Sequence, residues 1–410
     1  FEMALDLNPA HLPSLAALRT IAMDEADWDR AARYLDQEQL NTEMPRQRAK
    51  LLVELGKLRD EMLGEHDAAI EAYQLAMQCD DDCEEAALPL VEEYMRTDRF
   101  TEAEPLAELL VRKGRNRERH EQHMLNNLLG KVLSAVGKDE KALKAYQAAP
   151  QLDLTDQETI RGIADVSFRL QDWPSALTNY QKVLTSLSED EVDLRTDVYY
   201  RLGCIKREQG QVKQAINNFE KALALNSEHR PTLEALVDVY AQANDFKQVA
   251  AYKRQILDGI FDGEERFLML NDIADVWAGK ENNAPKAIEA LEEALELKPQ
   301  DPSLLHKILE LYQKAEDWSK MVDTLQAIAD ISDNPAVKSR CFNTMAQLYR
   351  DKLEDPDRAV ELFNEALDLN PDFLKAFERI NKILTREKNW KQLERQYRKM
   401  IHRITNKNKA

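Results

Sequence analysis

The sequence predicts an all-α solenoid, a run of helical hairpins stacked in order with no sheet and no central core. Three observations predict it. An aromatic residue returns every 72 or 73 positions, at Trp28, Phe100, Trp173, Phe246, Trp318 and Trp390. A second ladder with the same period lies between, at Phe1, Tyr73, Tyr146, Phe219, Leu291 and Phe363. Alanine follows each of its members by three residues, at Ala4, Ala76, Ala149, Ala222, Ala294 and Ala366. Finally, glycine is scarce, 11 of 410 residues, while the strong helix formers Ala, Leu, Glu, Lys and Gln dominate. Two interleaved ladders of one long period mean tandem duplication. Such a chain lengthens by adding units, so the usual division into two or three globular domains does not apply.

The elements follow in order. Residues 1–8 read as a lone helix ending at Leu7-Asn8-Pro9. Eleven hairpins over 12–405 then start near residues 12, 48, 84, 121, 157, 195, 230, 264, 302, 337 and 373, and 406–410 is left as a tail. Every second hairpin, from the first to the eleventh, turns at one of the long-period aromatics. The residue before that aromatic is Asp27, Arg99, Asp172, Asp245, Asp317 or Asn389. Asp and Asn there predict helix N-caps, whose side chains accept from orphan N–H groups. The alternate hairpins carry the second ladder and a small residue opposite it, in Leu55-Gly56, Leu129-Gly130, Leu202-Gly203, Ile273-Ala274 and Met345-Ala346. The clearest copy, 195–228, adds Gly210 at its turn and Ala215, Phe219 and Ala222 as a small-large-small stripe. Apolar residues at three- and four-residue spacing make both of its helices amphipathic. The duplicated unit is thus a pair of hairpins, about 72 residues long.

The Leu-Gly pair, a Tyr (Tyr94, Tyr240, Tyr312, Tyr349), the alanine-spaced ladder and a closing Pro (Pro9, Pro299, Pro371) together resemble the tetratricopeptide repeat. The resemblance covers nearly the whole chain and is closest to long bacterial arrays. It implies one continuous right-handed superhelix of 34-residue hairpins over residues 1–410. Val249, Met321 and Leu393 stand where the family prefers Ala, which implies slightly splayed hairpins. Residues 1–8 match only the second helix of a repeat, so the chain reads as a piece of a longer array or a larger protein.

Charge and cysteine content narrow the function. The formal net charge is −19, from 75 acidic and 56 basic residues, which repels polyanions and disfavours nucleic acid as the principal ligand. Four scattered cysteines suit a reducing, cytoplasmic compartment. No apolar run approaches the roughly 20 residues that span a bilayer.

Candidate chemistry is sparse. Gly130, Gly137 and Lys138 imitate a phosphate loop, but the spacing is too long, Asp139 replaces the Ser or Thr, and both glycines fall on repeat positions. His120 and His123 are three apart with no third ligand in view. Cys79 and Cys83 bracket Asp80-Asp81-Asp82, read as an inter-hairpin turn whose carboxylates cap the next helix. No nucleophile elbow, dinucleotide loop or acid–base pair is placed, so neither enzyme activity nor a cofactor or metal is expected.

In the family, the first helices of successive hairpins line a groove that holds a peptide or partner helix. Carried onto this chain, one groove row is Glu92, Lys131, Asp165, Cys204, Asp238, Asp275, Glu310, Gln347 and Lys382. A neighbouring row is Asn127, Arg161, Tyr200, Glu234, Asn271, His306 and Asn343. The acidic centre of the first row favours a basic or amphipathic segment, and the Asn side chains offer paired donors and acceptors. Chaperone-binding members carry a carboxylate clamp. Here Lys375 and Arg379 match its last pair, but His306, Glu310 and Thr344 occupy the earlier positions. The expected function is therefore a non-catalytic protein-interaction scaffold. Its rivals are a regulatory or substrate-recruiting arm of a larger enzyme and an RNA-binding helical-repeat protein.

Overall fold

The computed structural model describes residues 1–149 and 156–407, with residues 406 and 407 described by their backbone alone. Every regular element among the described residues is helical. Helix α1 (Glu2–Leu7) precedes eleven pairs. These are α2 (Leu12–Asp24) and α3 (Trp28–Leu40), α4 (Pro45–Leu58) and α5 (His66–Cys79), and α6 (Glu84–Arg96) and α7 (Phe100–Lys113). Next come α8 (Arg119–Ala135) and α9 (Asp139–Ala148), α10 (Gln157–Arg169) and α11 (Trp173–Ser186), and α12 (Val192–Glu208) and α13 (Val212–Leu225). Then follow α14 (Arg230–Gln242) and α15 (Phe246–Asp258), α16 (Gly263–Gly279) and α17 (Ala284–Leu297), and α18 (Pro302–Ala315) and α19 (Trp318–Ile331). The last are α20 (Pro335–Asp351) and α21 (Pro356–Leu369), and α22 (Leu374–Arg386) and α23 (Trp390–Lys407). They form two compact units, residues 1–209 with α1 to α12 and residues 210–410 with α13 to α23.

The two hairpin types differ in length. First helices α8, α12, α16 and α20 have 17 residues, against 13 or 14 in α2, α6, α10, α14, α18 and α22. Several first helices begin earlier than the sequence suggests. Thus α4, α12 and α20 begin at residues 45, 192 and 335 rather than near 48, 195 and 337. Helix α23 continues through Lys407, so no tail starts at 406, and the rest of the expected tail lies outside the described residues.

The long-period aromatic is the first residue of α3, α7, α11, α15, α19 and α23. The turn before it is the same in all six copies. A residue with positive φ, namely Ala26, Asp98, Gln171, Asn244, Glu316 or Lys388, ends the first helix in the left-handed conformation. The next N–H bonds back five residues, as in Asp27 N to Ala22 O (2.9 Å) and Asp317 N to Tyr312 O (3.0 Å). These are Schellman closures, and the residue completing each one is also the N-cap of the second helix. Five of the six caps form: Asp27, Asp172, Asp245, Asp317 and Asn389 each accept from the N–H three residues on. Arg99 does not cap; it lies over the Tyr94 ring at 4.4 Å and pairs with Glu102.

The second ladder forms the core. Tyr73, Tyr146, Phe219, Leu291 and Phe363 are buried, and only Phe1 is exposed. Gly56 and Gly130 admit that packing: a Cβ on either would lie 2.6 Å from the ring of Tyr73 or Tyr146. Ahead of Pro9 and Pro371, Asn8 and Asn370 are extended, and ahead of Pro299, Lys298 has also left the helical region, at φ −135° and ψ 78°, so each helix ends where proline forbids another turn.

Candidate functional site

All residues of the two rows lie on first helices, as expected: α6, α8, α10 and α12 in the first unit, and α14, α16, α18, α20 and α22 in the second. In the first unit two adjoining hollows open on this face. One, about 480 Å3, is lined by Leu88 and Glu92 of α6 and by His120, Met124, Asn127 and Lys131 of α8. The other, about 520 Å3, is lined by Lys131, by Arg161, Gly162 and Asp165 of α10, and by Leu194 of α12. Lys131 and Glu158 border both. Leu88 and Met124 are 39% and 55% exposed, an apolar floor open to solvent.

The charges are arranged in pairs across neighbouring helices. Glu158 takes Lys131 Nζ at 2.5 Å and Asn127 Nδ2 at 3.1 Å, tying α10 to α8. Asn127 is buried, and its Oδ1 has no hydrogen-bond partner among the described residues. Asp165 accepts from the Tyr180 hydroxyl at 2.6 Å and lies 3.7 Å from Arg161 Nε. Burial, reinforced by the Asp165 charge, raises the Tyr180 phenol far above its ordinary range. Tyr200 is also pushed up, first by burial and then by its contact with Cys204, whose thiol is raised by burial. Together the hollows carry carboxylates at Glu92, Glu121, Glu158, Asp165 and Glu191 against cations at Arg117, Lys131 and Arg161.

In the second unit the row residues lie on α14, α16, α18, α20 and α22. Asp238, His306 and Glu310 are exposed. Asp275 holds Lys307 of α18 at 3.0 Å. Asn271 Nδ2 donates to the Phe267 carbonyl of its own helix. Asn343 is buried, and its Oδ1 accepts from Arg379 at 2.7 Å, so the one matching arginine of the chaperone clamp is already engaged.

Sequence reasoning missed Leu88, Met124 and Glu158. Leu88 continues the second row one hairpin further back, four residues before Glu92. Met124 and Glu158 lie seven residues before Lys131 and Asp165, so one more helical turn along the same face would have reached them. It also misassigned the aspartate cluster: α6 is capped by no side chain, with Cys83 at the cap position. Asp80 instead closes the turn onto the Asp82 N–H at 3.2 Å. Asp82 pairs with Lys113 and, at 2.9 Å, Arg112 of α7, and those contacts lower its pKa. Gly130 and Gly137 are a helix contact and a turn, as their repeat positions implied. His123 Nε2 lies 2.7 Å from Asp156. No group of three or more His, Cys, Asp or Glu is placed to hold a metal ion among the described residues. Nor is any described helix long and apolar enough to cross a membrane.

Comparison with known proteins places these hairpins. Two family models described as tetratricopeptide repeat match residues 156–228, the pairs from α10 to α13, and 339–373, the α20–α21 pair. Among curated proteins, the Protein CTR9 homolog of Arabidopsis thaliana is 23% identical over 242 residues, covering 50% of this chain and 22% of the relative. The human Protein O-mannosyl-transferase TMTC1 is 24% identical over 144 residues, covering 32% and 16%. The matches therefore span about a fifth of those relatives' length. Among solved structures, YrrB, a TPR protein with an unusual peptide-binding site, is similar at 21% identity and a TM-score of 0.39, covering 46% of this chain and 91% of its own. A tetratricopeptide repeat protein from Parabacteroides merdae is 14% identical with a TM-score of 0.39, covering 73% and 98%.

Proposed function

We propose that this chain, whose residues 156–228 and 339–373 match tetratricopeptide repeat models, is a non-catalytic interaction scaffold that holds a partner segment on the first-helix face of its first unit. The carrying observation is the pair of adjoining hollows on α6, α8 and α10, floored by the exposed Leu88 and Met124 and rimmed mainly by carboxylates. An apolar floor with an acidic rim fits a basic amphipathic segment, whose apolar side chains enter while its Lys or Arg meet the exposed Glu92. Lys131 with Glu158 and Tyr180 with Asp165 are spent on each other, which suits positioning rather than proton transfer. Within the second unit taken by itself, the first helices α14, α16 and α18 carry the exposed Asp238, Asp275, His306 and Glu310.

Displayed random peptides selected on the full chain test this reading. Enriched sequences should pair apolar residues with Lys or Arg and lose binding to Leu88→Asp with Met124→Asp, two exposed changes that leave the far-ultraviolet dichroism unchanged. No enrichment, or affinity unchanged in the double variant, overturns it.

A further inference from the structure

The link between α15 and α16 carries Phe261, which is 94% exposed. At the same place after α3, α7, α11 and α19 stand the polar residues Glu43, Arg115, Ser188 and Asp333, so the repeat does not call for an aromatic there. The same copy departs from the pattern a second time, on its second-helix face. Ala250 and Ala251 of α15, Ile273 and Trp277 of α16, and Ala290 of α17 line a hollow of about 280 Å3. In the following copy the positions of Ala250 and Ala290 are held by Val322 and Leu362, 6% and 0% exposed. The smaller side chains leave this hollow open, and one aromatic ring is of a size to enter it.

The exposed ring and the hollow lie along one line. Ala251, Arg254 and Asp258 follow at intervals of three and four residues, so they share a stripe of α15 that runs from the hollow toward the link. Arg254 borders the hollow and pairs with Glu293 of α17 at 2.5 Å. Asp258 is exposed, one turn further on. Lys286 Nζ, 4.2 Å over the Trp277 ring, adds a second cation at the mouth. A second copy of α15 laid antiparallel along the stripe, with its Phe261 opposite Ala251, brings its Asp258 opposite Arg254. The reverse pairs repeat across a twofold axis. One register therefore satisfies ring and charge together, as a self-complementary interface requires.

We propose that this face of the second unit pairs two copies of the chain, separately from the first-helix face. Each Phe261 ring enters the other copy's hollow against Ala251 and Trp277, and each Asp258 meets the other copy's Arg254. A second copy is favoured over a different protein because it brings an aromatic ring and a carboxylate at the spacing of the hollow and the arginine. The contact centres on one helix per copy, which places it near the small end of specific interfaces, about 1,200 Å2. The pairing is accordingly weak and depends on concentration.

The test uses the full chain. Sedimentation velocity from about 1 to 200 µM, the range that a small interface occupies, should show a reversible monomer–dimer equilibrium. Phe261→Asp and Ala251→Glu, both exposed changes, should each raise the dimer dissociation constant about tenfold or more, with unchanged far-ultraviolet dichroism. Gln255 is exposed near the proposed axis. Gln255→Cys should cross-link two copies with a short bismaleimide beyond the wild-type level, and adding Phe261→Asp should remove that excess. A chain that stays monomeric throughout the range overturns the proposal. A dimer unchanged in Phe261→Asp overturns it in favour of another surface, and assembly beyond the dimer overturns the twofold pairing.

Discussion

The Cα of Gly130 on α8 faces the ring of Tyr146 on α9 so closely that an added Cβ would lie 2.6 Å from the ring's Cε1. A Cβ on Gly162 of α10 would meet the same ring, 2.6 Å from Cζ. Tyr146 is therefore clamped between two glycines, and burial pushes its phenol up to about 12. Where the ladder carries Leu291, the residue at the first glycine's position is Ala274. Gly130→Ala should cost about 1–3 kcal/mol through overpacking. Tyr146→Leu added to it should recover part of that loss, a coupling that a double-mutant cycle of urea unfolding measures. Simple additivity would refute the clamp.

Two glycines with equally open surroundings should respond with opposite signs. Gly137 has φ +82° and closes the α8–α9 turn, while Gly279 ends α16 without a positive φ, and a Cβ on either meets nothing within 4 Å. Gly137→Ala should lower stability by about 1 kcal/mol, because the strain lies in the backbone. Gly279→Ala should raise it by about 0.5–1 kcal/mol. Thermal melts of the two variants decide it.

The repeat ladders made the fold legible because each ladder residue does one packing task in every copy. Asp27 and Gly130 show this directly, since cap and close approach are fixed by residue type. The left-handed turn residues were not legible: Ala26, Gln171 and Lys388 share no chemistry, and their φ is imposed by the closure of the turn around them. The site was legible only as a face. Lys131 and Asp165 were placed on it, but their partners Glu158 and Tyr180 come from other helices, and helical spacing within one segment carries no information about contacts between segments.

Asp165 owes its position to Tyr180, which is 1% exposed and reaches it from α11. Tyr180→Phe keeps the ring in its cavity and removes the hydroxyl. The loss should be about 1.5–3 kcal/mol, the range for a hydrogen bond to a charged acceptor. The freed carboxylate should also loosen the hollow beside it, seen as faster amide exchange in α10 than in α8. Unchanged stability would mean that Arg161 alone holds Asp165.

His66 joins two hairpins through both of its ring nitrogens. Nδ1 lies 3.0 Å from Asp60 in the π-helical turn Arg59–Leu63, and Nε2 lies 3.1 Å from Glu93 on α6. A neutral imidazole can donate from only one nitrogen, so this geometry selects the imidazolium. The two hydrogen bonds, Asp60 before Glu93, raise the His66 pKa above 6.5. Glu93 is lowered, first by Arg96 and then by His66. For a raised imidazole the contribution is complete below the unfolded value and is lost as pH rises through the folded one. For a lowered carboxylate it is lost as pH falls through the folded value, below 4.5. The clasp should thus hold best in mildly acid solution and relax above neutrality. The effect should be small, because the imidazole is half exposed. An NMR titration should find the His66 pKa raised in the wild type and returned toward 6.5 in Asp60→Asn with Glu93→Gln. Amide exchange in residues 59–65 should speed up between pH 6 and pH 8 beyond the intrinsic rate, and in His66→Gln that excess should vanish.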